Sequence, residues 1–179
     1  MAARAPAPEP LATVERFINS LDLEDGPELL PDPDALRAWL VDAGLLDRET
    51  AVGPQEHERA VTLREALRDV LSGDDAAIAH INAAGERAGL RPVLRPGGGS
   101  ALEPAAGGVD GALGRLVAIV HGAVADGTWA HLKACERERC RWVFYDHSKN
   151  HSGRWCDMEV CGAREKSARA YRRRRAQRA

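Results

Sequence analysis

The four cysteines are the residues whose types and spacing most clearly predict chemistry. All lie in one window of 27 residues, as Cys135-x4-Cys140 and Cys156-x4-Cys161, with 15 residues between the pairs. Two close pairs at such a separation can bring four thiolates around one tetrahedral metal ion. Zn²⁺ is the expected ion because soft thiolates suit it, although an Fe–S cluster can also use four cysteines. We therefore expect one structural zinc, bound by Cys135, Cys140, Cys156 and Cys161.

Two histidines lie between the pairs and offer alternative ligands. His147 and His151 could each replace a cysteine, but four thiols already complete the set, so we assign both as non-ligands. Four thiolates around Zn²⁺ carry a formal charge of −2, which nearby cations and backbone N–H groups stabilise. Arginines within three residues of a ligand could supply that positive charge; they include Arg139, Arg141, Arg154 and Arg164.

The segments around the cysteines predict the elements that position them. "RWVFYD" (141–146) alternates polar and apolar residues and is typical of a strand in a small hairpin. The polar "HSKNHSG" (147–153) is expected to form its turn, and "GAREKSARAYRRRRAQ" (162–177) predicts a helix that begins beside the second cysteine pair. Gly162 would let the backbone approach a ligand sulfur closely. Because so short a module buries little surface, the metal should supply much of its folding free energy.

The chain before the cysteines predicts a helical domain, because apolar residues recur at helical spacing. The first predicted helix covers 11–21, and the second is capped by Asp32 or Asp34 and ends at Gly44. The third covers 55–71, and the fourth is opened by Asp74 and Asp75 and ends at Ala88. The fifth is an apolar central helix capped by Asp110. Two stretches, 90–95 and 100–104, flank "PGGG" and predict a β-hairpin. The predicted fold class is mainly α with a small β-hairpin. A helical N-terminal domain (1–130) precedes a C-terminal treble-clef-like zinc finger (131–179).

Charge is divided unevenly between these two parts. Residues 1–130 hold 11 basic and 21 acidic side chains, a net charge of −10, whereas residues 131–179 hold 14 and 6, a net charge of +8. Residues 164–178 alone contain eight basic side chains and one Glu. This division favours a polyanion-binding arm on an acidic body. An Arg-rich tail that is merely solvated is the alternative.

Composition and motifs argue against several other classes of protein. The chain is 44% hydrophobic and 29% charged, which is typical of a globular protein. No apolar run approaches the roughly 18 to 20 residues of a membrane span, and the N-terminus lacks a secretory apolar stretch. We therefore expect a cytoplasmic protein without a membrane partner. Zincin, nucleophile-elbow and phosphate-loop motifs are absent, and four thiolates leave zinc no open position, so we do not expect an enzyme.

The cysteine segment resembles the CGNR zinc-finger domain, and the segment before it is similar to the ABATE domain. The finger resemblance rests on Ser148, Lys149, Asn150, Arg154, Trp155, Cys156, Met158, Cys161, Gly162 and Arg164. The second rests on Phe-Ile-Asn-Ser at 17–20 and Leu-x-x-Trp-Leu at 36–40. Together they imply a mostly helical N-terminal domain, one zinc, and a bacterial stress-induced transcriptional regulator whose finger binds DNA.

Two positions depart from the family pattern. Ala163 stands where the signature has Asn, and Gly153 stands where Arg often precedes Arg-Trp. Neither is a metal ligand, but an Asn beside the last Cys could read a base edge. Sequence-specific binding is therefore the property most affected. The expected nucleic-acid-binding residues are Arg164, Lys166, Arg169, Arg172, Arg173, Lys149 and Arg154.

Two classes of function stay open at this point. The first is a DNA-binding transcriptional regulator whose N-terminal domain senses a small-molecule effector or forms a homodimer. The second is a protein-interaction or small-molecule-sensing module whose structural zinc finger docks on a partner protein. Strongly salt-dependent duplex binding would favour the first. Salt-sensitive self-association without nucleic-acid binding would favour the second.

Overall fold

The computed structural model describes residues 4–24 and 26–176, and it confirms the mainly α fold class. The helices within these residues are α1 (Leu11–Ile18), α2 (Pro33–Asp42), α3 (Pro54–Leu71), α4 (Ile78–Ala88), α5 (Gly108–Asp126) and α6 (Ala163–Ala176). The strands are β1 (Leu90–Arg95), β2 (Gly99–Pro104), β3 (Leu132–Ala134) and β4 (Val143–Tyr145), which form the antiparallel hairpins β1–β2 and β3–β4. The end of the predicted basic helix, at residue 177, lies outside the described residues.

Local capping chemistry explains where several helices begin. The Asp32 carboxylate accepts a hydrogen bond from the Ala35 N–H at 2.8 Å, as expected of an N-cap before a proline-led helix. The prediction that Asp110 caps the central helix is wrong. α5 begins at Gly108, two residues earlier, and the Asp110 carboxylate instead accepts from Arg59 Nε at 3.1 Å. Asp110 thus ties α5 to α3, while its charge still favours the first helical turn.

The core of the N-terminal domain lies between α1, α3 and α5. Phe17, Leu67 and Leu113 are fully or almost fully buried at this contact. The Phe17 and Trp39 rings meet at a centroid distance of 5.3 Å, which brings α2 onto the same core. α4 packs against α3 and α5, and β2 lies along α5. The predicted hairpin over 90–104 is confirmed, with Leu90 opposite Pro104.

α5 is the one helix, within the described residues, that is long and apolar enough to cross a membrane. It has 19 residues, and its mean hydropathy reaches 1.3. The prediction that no apolar segment approaches the membrane-spanning length is therefore wrong for α5 when length and composition alone are considered. Half of that apolar window is buried inside the structure, and Leu113 and Leu116 belong to the core. The central helix of a folded domain has the same apolar profile.

Two buried arginines hold the loop between α1 and α2. Arg64 donates to both carboxylate oxygens of Glu28, at 2.7 and 2.8 Å. Arg68 donates to the carbonyls of Ile18 and Leu21, at 2.5 and 3.1 Å. Both guanidinium groups are almost completely buried. Such groups are tolerated in a core because charged partners and backbone carbonyls replace water.

The zinc-finger region packs directly on the helical domain. Val143 and Tyr145 of β4 are buried in the same core as α1. The Asn19 amide donates to the Val143 carbonyl at 2.7 Å and accepts from the Val143 N–H at 2.9 Å. Asn19 therefore acts like a neighbouring strand for β4, and the finger is docked rather than tethered.

The hairpin of the finger differs from its predicted arrangement. β4 lies within the predicted strand, but its partner is β3, which precedes the first cysteine pair. The turn of the hairpin is therefore the loop that carries Cys135 and Cys140, and not residues 147–153. Sequence periodicity could not show this because β3 has only three residues.

Candidate metal centre

Two tight loops bring the four cysteines together. In the first, the Cys135 N–H donates to the Trp142 carbonyl at 2.9 Å and closes the loop that holds Cys140. Arg141 takes a left-handed conformation with φ of 47°, which turns the chain back into β4. The loop thus begins and ends at the β3–β4 hairpin. This hairpin fixes the separation of the first two sulfurs.

The second pair is held by a capped helical turn. The Asp157 carboxylate accepts from the N–H groups of Glu159 and Val160, at 2.7 and 2.9 Å. This cap starts the π-helical turn Met158–Gly162, which carries Cys161 and leads into α6. A Cβ at Gly162 would lie 3.0 Å from the Met158 sulfur. Glycine therefore avoids a close contact with the Met158 side chain at this position.

The sulfur geometry fits one tetrahedral zinc. All four Sγ atoms lie within 4.8 Å of one another, and three of the four residues are buried. Cys156 Sγ is 3.6 Å from Cys140 Sγ and 3.7 Å from Cys161 Sγ. Zinc–sulfur bonds of about 2.3 Å in a tetrahedron require sulfurs about 3.8 Å apart. The four predicted cysteines form a zinc-binding cluster.

The pKa values of the thiols reflect their crowding. Hydrogen bonds from Cys140 and Cys156 lower the pKa of Cys135. Hydrogen bonding with Cys135 raises the pKa of Cys140 and of Cys156, because their ionisation would place a second thiolate beside the first. Four thiolates are stable together only when a metal ion offsets this repulsion.

Charged groups around the cluster include two arginines that sequence reasoning missed. Arg137 lies between the Glu24 carboxylate and the Cys161 sulfur, and these two partners raise its pKa. Arg4 donates from Nε to the Cys156 carbonyl and from Nη2 to the Trp155 carbonyl, both at 2.9 Å. Arg137 could have been included by its spacing from Cys135. No sequence signal connects Arg4 with a segment 151 residues away.

The four arginines expected near the ligands have different surroundings. Arg141 pairs with Asp69 of α3 at 2.5 Å, and Arg154 pairs with Glu136. Arg164 pairs with Glu24 at 2.7 Å, whereas Arg139 is exposed. Three of the four thus bind carboxylates, and two of those carboxylates belong to the helical domain.

The two histidines have partners outside the metal cluster. His147 Nε2 lies 3.0 Å from the Pro6 carbonyl. His151 Nδ1 lies 2.9 Å from the Asp146 carbonyl, and its ring stacks on His131 at 3.8 Å. His147 therefore contacts the N-terminal segment, whereas His151 packs within the finger itself.

Asp146 organises the segment 147–153, and sequence reasoning did not identify it. Its side chain is completely buried. It accepts hydrogen bonds from the Ser148 N–H at 3.1 Å, the Gly153 N–H at 2.7 Å and Lys133 Nζ at 2.9 Å. A Cβ at Gly153 would lie 2.8 Å from the same carboxylate, which explains glycine at this position.

Comparison with protein families agrees with this architecture. A model described as "Putative stress-induced transcription regulator", the ABATE family, matches residues 11–132. The chain belongs to the ABATE family. A CGNR zinc-finger model matches residues 131–175, which contain all four cysteines. No curated protein shows significant sequence similarity to the chain.

The structure explains one sequence element of this ABATE protein. Phe17 and Ile18 are buried in the core, Asn19 pairs with β4, and the Ser20 hydroxyl accepts from Arg64 at 3.2 Å. Phe-Ile-Asn-Ser therefore joins three parts of the molecule: the helical core, the finger and the buried arginine. The element is structural in each of these contacts.

The residues predicted to bind nucleic acid fall into three groups. Arg164 pairs with Glu24, and Arg154 with Glu136. Arg169 and Arg172 both pair with Glu165, at 3.6 and 2.7 Å. Lys149, Lys166 and Arg173 are exposed, and no carboxylate partner is found for them among the described residues. α6 brings together Arg164, Lys166, Arg169, Arg172 and Arg173, while Lys149 and Arg154 lie in the segment before it.

Proposed function

We propose that this ABATE-family protein is a cytoplasmic transcriptional regulator that binds duplex DNA through its zinc finger. One observation carries the proposal. α6 is a strongly basic helix without a buried residue, and it starts two residues after the last zinc ligand. A helix with no core to join needs another reason for its position. Anchoring by zinc would present it to a polyanion.

The charge on α6 suits phosphate contacts. Its one acidic residue pairs with Arg169 and Arg172, so its net charge is carried by the remaining cations. The run 172–175 spreads over about 300° of the helix, so its four arginines cannot all enter one groove. Some would contact phosphates on either side. The affinity for DNA should therefore depend strongly on charge and only weakly on base sequence.

Ala163 supports limited sequence specificity. It is exposed at the first position of α6, where the family signature has Asn. A methyl group can contact a thymine methyl but cannot donate or accept a hydrogen bond at a base edge. Base discrimination would then depend on longer side chains such as Arg164 and Lys166.

Fluorescence anisotropy with a labelled duplex tests the proposal. Binding should weaken steeply between about 50 and 200 mM salt, because each neutralised phosphate contributes about −0.9 to the log–log slope. Arg173→Gln should weaken binding and reduce the slope by about one unit. Arg91→Gln, in the exposed part of β1, removes the same charge from the helical domain and should change little. Affinity that is independent of salt would contradict the proposal.

We also propose that the zinc is structural rather than catalytic. Four thiolates would fill its coordination sphere and leave no site for substrate or water. Cys156→Ala should lower zinc below one ion per chain and abolish DNA binding, whereas His147→Ala should retain zinc. Elemental analysis of both variants, beside anisotropy, separates the metal ligands from the nearby histidine.

A second candidate function is ligand sensing by the helical domain. A groove of about 770 Å³ lies between α4, α5 and the β1–β2 hairpin. Its floor is mainly apolar, with Ile81, Leu90 and Val120, and its polar groups include Glu86 and His121. This volume is within the usual range for small-molecule sites. A thermal-shift screen of small apolar compounds tests it, with a groove-filling Val124→Trp variant as control. Gel filtration of the same samples tests for a homodimer.

A further inference from the structure

Glu24 links the acidic helical domain to two arginines of the finger. Its Oε2 atom binds Arg137, and its Oε1 atom binds Arg164 Nη1 at 2.7 Å. Arg137 belongs to the first cysteine loop, and Arg164 is the second residue of α6. One carboxylate therefore joins the two halves of the finger that zinc also joins.

The two arginines form an anion-binding arrangement. Each contacts a different oxygen of the same anion, which is how guanidinium groups also bind phosphate oxygens. The side chains of Glu24 and Arg137 are 19% and 16% exposed, so this contact is sheltered from water. Arg164 is half exposed, so one side of the arrangement stays open to solvent. A larger anion could approach from that side.

Glu24 lies on a segment that could withdraw without unfolding the core. The preceding residue, Leu23, is 40% exposed. The Glu24 N–H donates to the Asp22 carboxylate at 3.0 Å, which is a local turn contact. The finger has other links to the helical domain, because Arg141 pairs with Asp69 and Asn19 pairs with Val143. Release of Glu24 would thus leave the finger docked.

We propose that Arg137 and Arg164 form a phosphate-binding subsite for nucleic acid, which Glu24 occupies in the free protein. The carboxylate keeps the subsite ordered and must be displaced when a backbone phosphate binds. Glu24 in the subsite therefore reduces the affinity of the free protein for any polyanion. This inference rests on the proposed DNA-binding function and adds a specific phosphate contact to it.

Glu24→Gln tests the subsite. The amide cannot replace the charge, so both arginines become available, and duplex affinity should rise about three- to tenfold. Glu49→Gln is the matched control, because Glu49 is exposed and has no ion pair among the described residues. It removes the same charge from the helical domain and should change affinity less than about twofold. Zinc content and circular dichroism establish that both variants are folded.

A second background separates the subsite from a general charge effect. In Arg164→Gln protein, Glu24→Gln frees one arginine instead of two. The gain in duplex affinity should therefore fall to about twofold. Glu24→Asp keeps the charge, but its shorter side chain cannot reach both guanidinium groups, so affinity should still rise. This variant decides the question if Glu24→Gln does not fold.

The outcomes distinguish this inference from the proposed function. If wild-type protein binds duplex DNA and both Glu24 variants bind it with the wild-type affinity, the subsite is wrong and the proposed function stands. An equal gain in wild-type and Arg164→Gln backgrounds also overturns the subsite. Heparin is titrated in parallel as a polyanion that is not a duplex. If no variant binds DNA but Glu24→Gln binds heparin more tightly than wild type, the DNA function fails, and what stands is an anion-binding site that Glu24 occupies in the free protein. Unchanged heparin binding in that case rejects both proposals.

Discussion

Asp146 shows how much a single buried carboxylate can determine in a small module. It is completely buried and accepts from Lys133, Ser148 and Gly153. Arg4 Nη1 lies 3.7 Å from Oδ1, the oxygen that also accepts from the Ser148 N–H. The segment 147–153 and the N-terminal Arg4 both depend on this one charge. A neutral side chain at this position would leave two partly buried cations and two N–H groups without full partners.

Asp146→Asn should therefore destabilise the protein by about 2 to 4 kcal/mol, because a broken buried ion pair leaves its partner uncompensated. The free energy of unfolding in urea measures this. Asp47→Asn, at an exposed position, is the matched control and should lie within about 0.5 kcal/mol of wild type. Equal midpoints for the two variants would contradict the role assigned to Asp146.

The same carboxylate predicts a dependence of stability on pH. Burial alone would raise the pKa of Asp146, but hydrogen bonds from Lys133, Ser148 and Gly153 outweigh burial and hold it well below its usual range. Its contribution is therefore complete above the unfolded pKa of about 3.9 and is lost as pH falls toward the folded value. The stability gap between wild type and Asp146→Asn should be constant from about pH 5 to 8 and narrow below about pH 4. A gap that widens in acid is the contrary result.

Gly153 and Gly122 provide a matched pair of glycines. Gly153→Ala would place a methyl group 2.8 Å from the Asp146 carboxylate, and it should cost about 1 to 3 kcal/mol. Gly122 lies within α5, and a methyl group there meets no atom within 4 Å among the described residues. Gly122→Ala should stabilise the protein by about 0.5 to 1 kcal/mol, because alanine favours helix. Urea midpoints that move in the same direction would contradict this prediction.

At the scale of elements, α6 differs from α1 to α5 because none of its residues is buried. It has 14 residues, and isolated helices shorter than about 12 to 15 are marginal in water. The π-helical turn that leads into it is capped by Asp157 and carries the metal ligand Cys161. Its last turn contains Arg173, Arg174 and Arg175, whose charges repel one another.

We therefore expect α6 to be stable near Cys161 and frayed near its end. Amides beyond Ala170 should exchange rapidly in the free protein, and a bound duplex should slow their exchange at least tenfold. Hydrogen-exchange mass spectrometry measures this, with peptides from the buried part of α3 as an internal control that DNA leaves unchanged. Strong protection of the whole helix without DNA would contradict the prediction.

At the scale of the molecule, the finger and the helical domain share one apolar core. Val143 and Tyr145 belong to the same buried cluster as residues of α1 and α3, and Asn19 pairs with both backbone groups of Val143. Charged contacts lie around this apolar centre, at Glu24 and Asp69. The acidic body thus neutralises part of the finger's positive charge. The cations left free are mainly on α6.

Asn19→Ala should uncouple the two parts. It leaves two partly buried backbone groups of Val143 without partners and should cost about 2 to 4 kcal/mol. Wild-type protein should unfold in one thermal transition, whereas the variant should release the finger before the helical domain melts. Asn82→Ala, exposed on α4, should leave a single transition. A single unchanged transition in both variants would show that the docking does not depend on Asn19.

Local patterns in the sequence were sufficient to predict most elements and the metal ligands. Helix periodicity, the Asp32 cap and the cysteine spacing depend on residues close in the chain, so they can be read directly. The error at Asp110 has a tertiary cause, because Arg59 of α3 binds that carboxylate. The wrong partner for β4 has a similar cause, since a strand as short as β3 carries no periodicity.

The sequence by itself determined that four thiols would bind one metal, that helices would precede them and that a basic helix would follow. These properties depend on residue type and short spacing. Only the tertiary structure decided which cations are free. Glu24 and Glu136 each neutralise an arginine that the sequence assigned to nucleic acid. An ion pair such as Arg164–Glu24 joins residues 140 positions apart, and no local pattern specifies that distance.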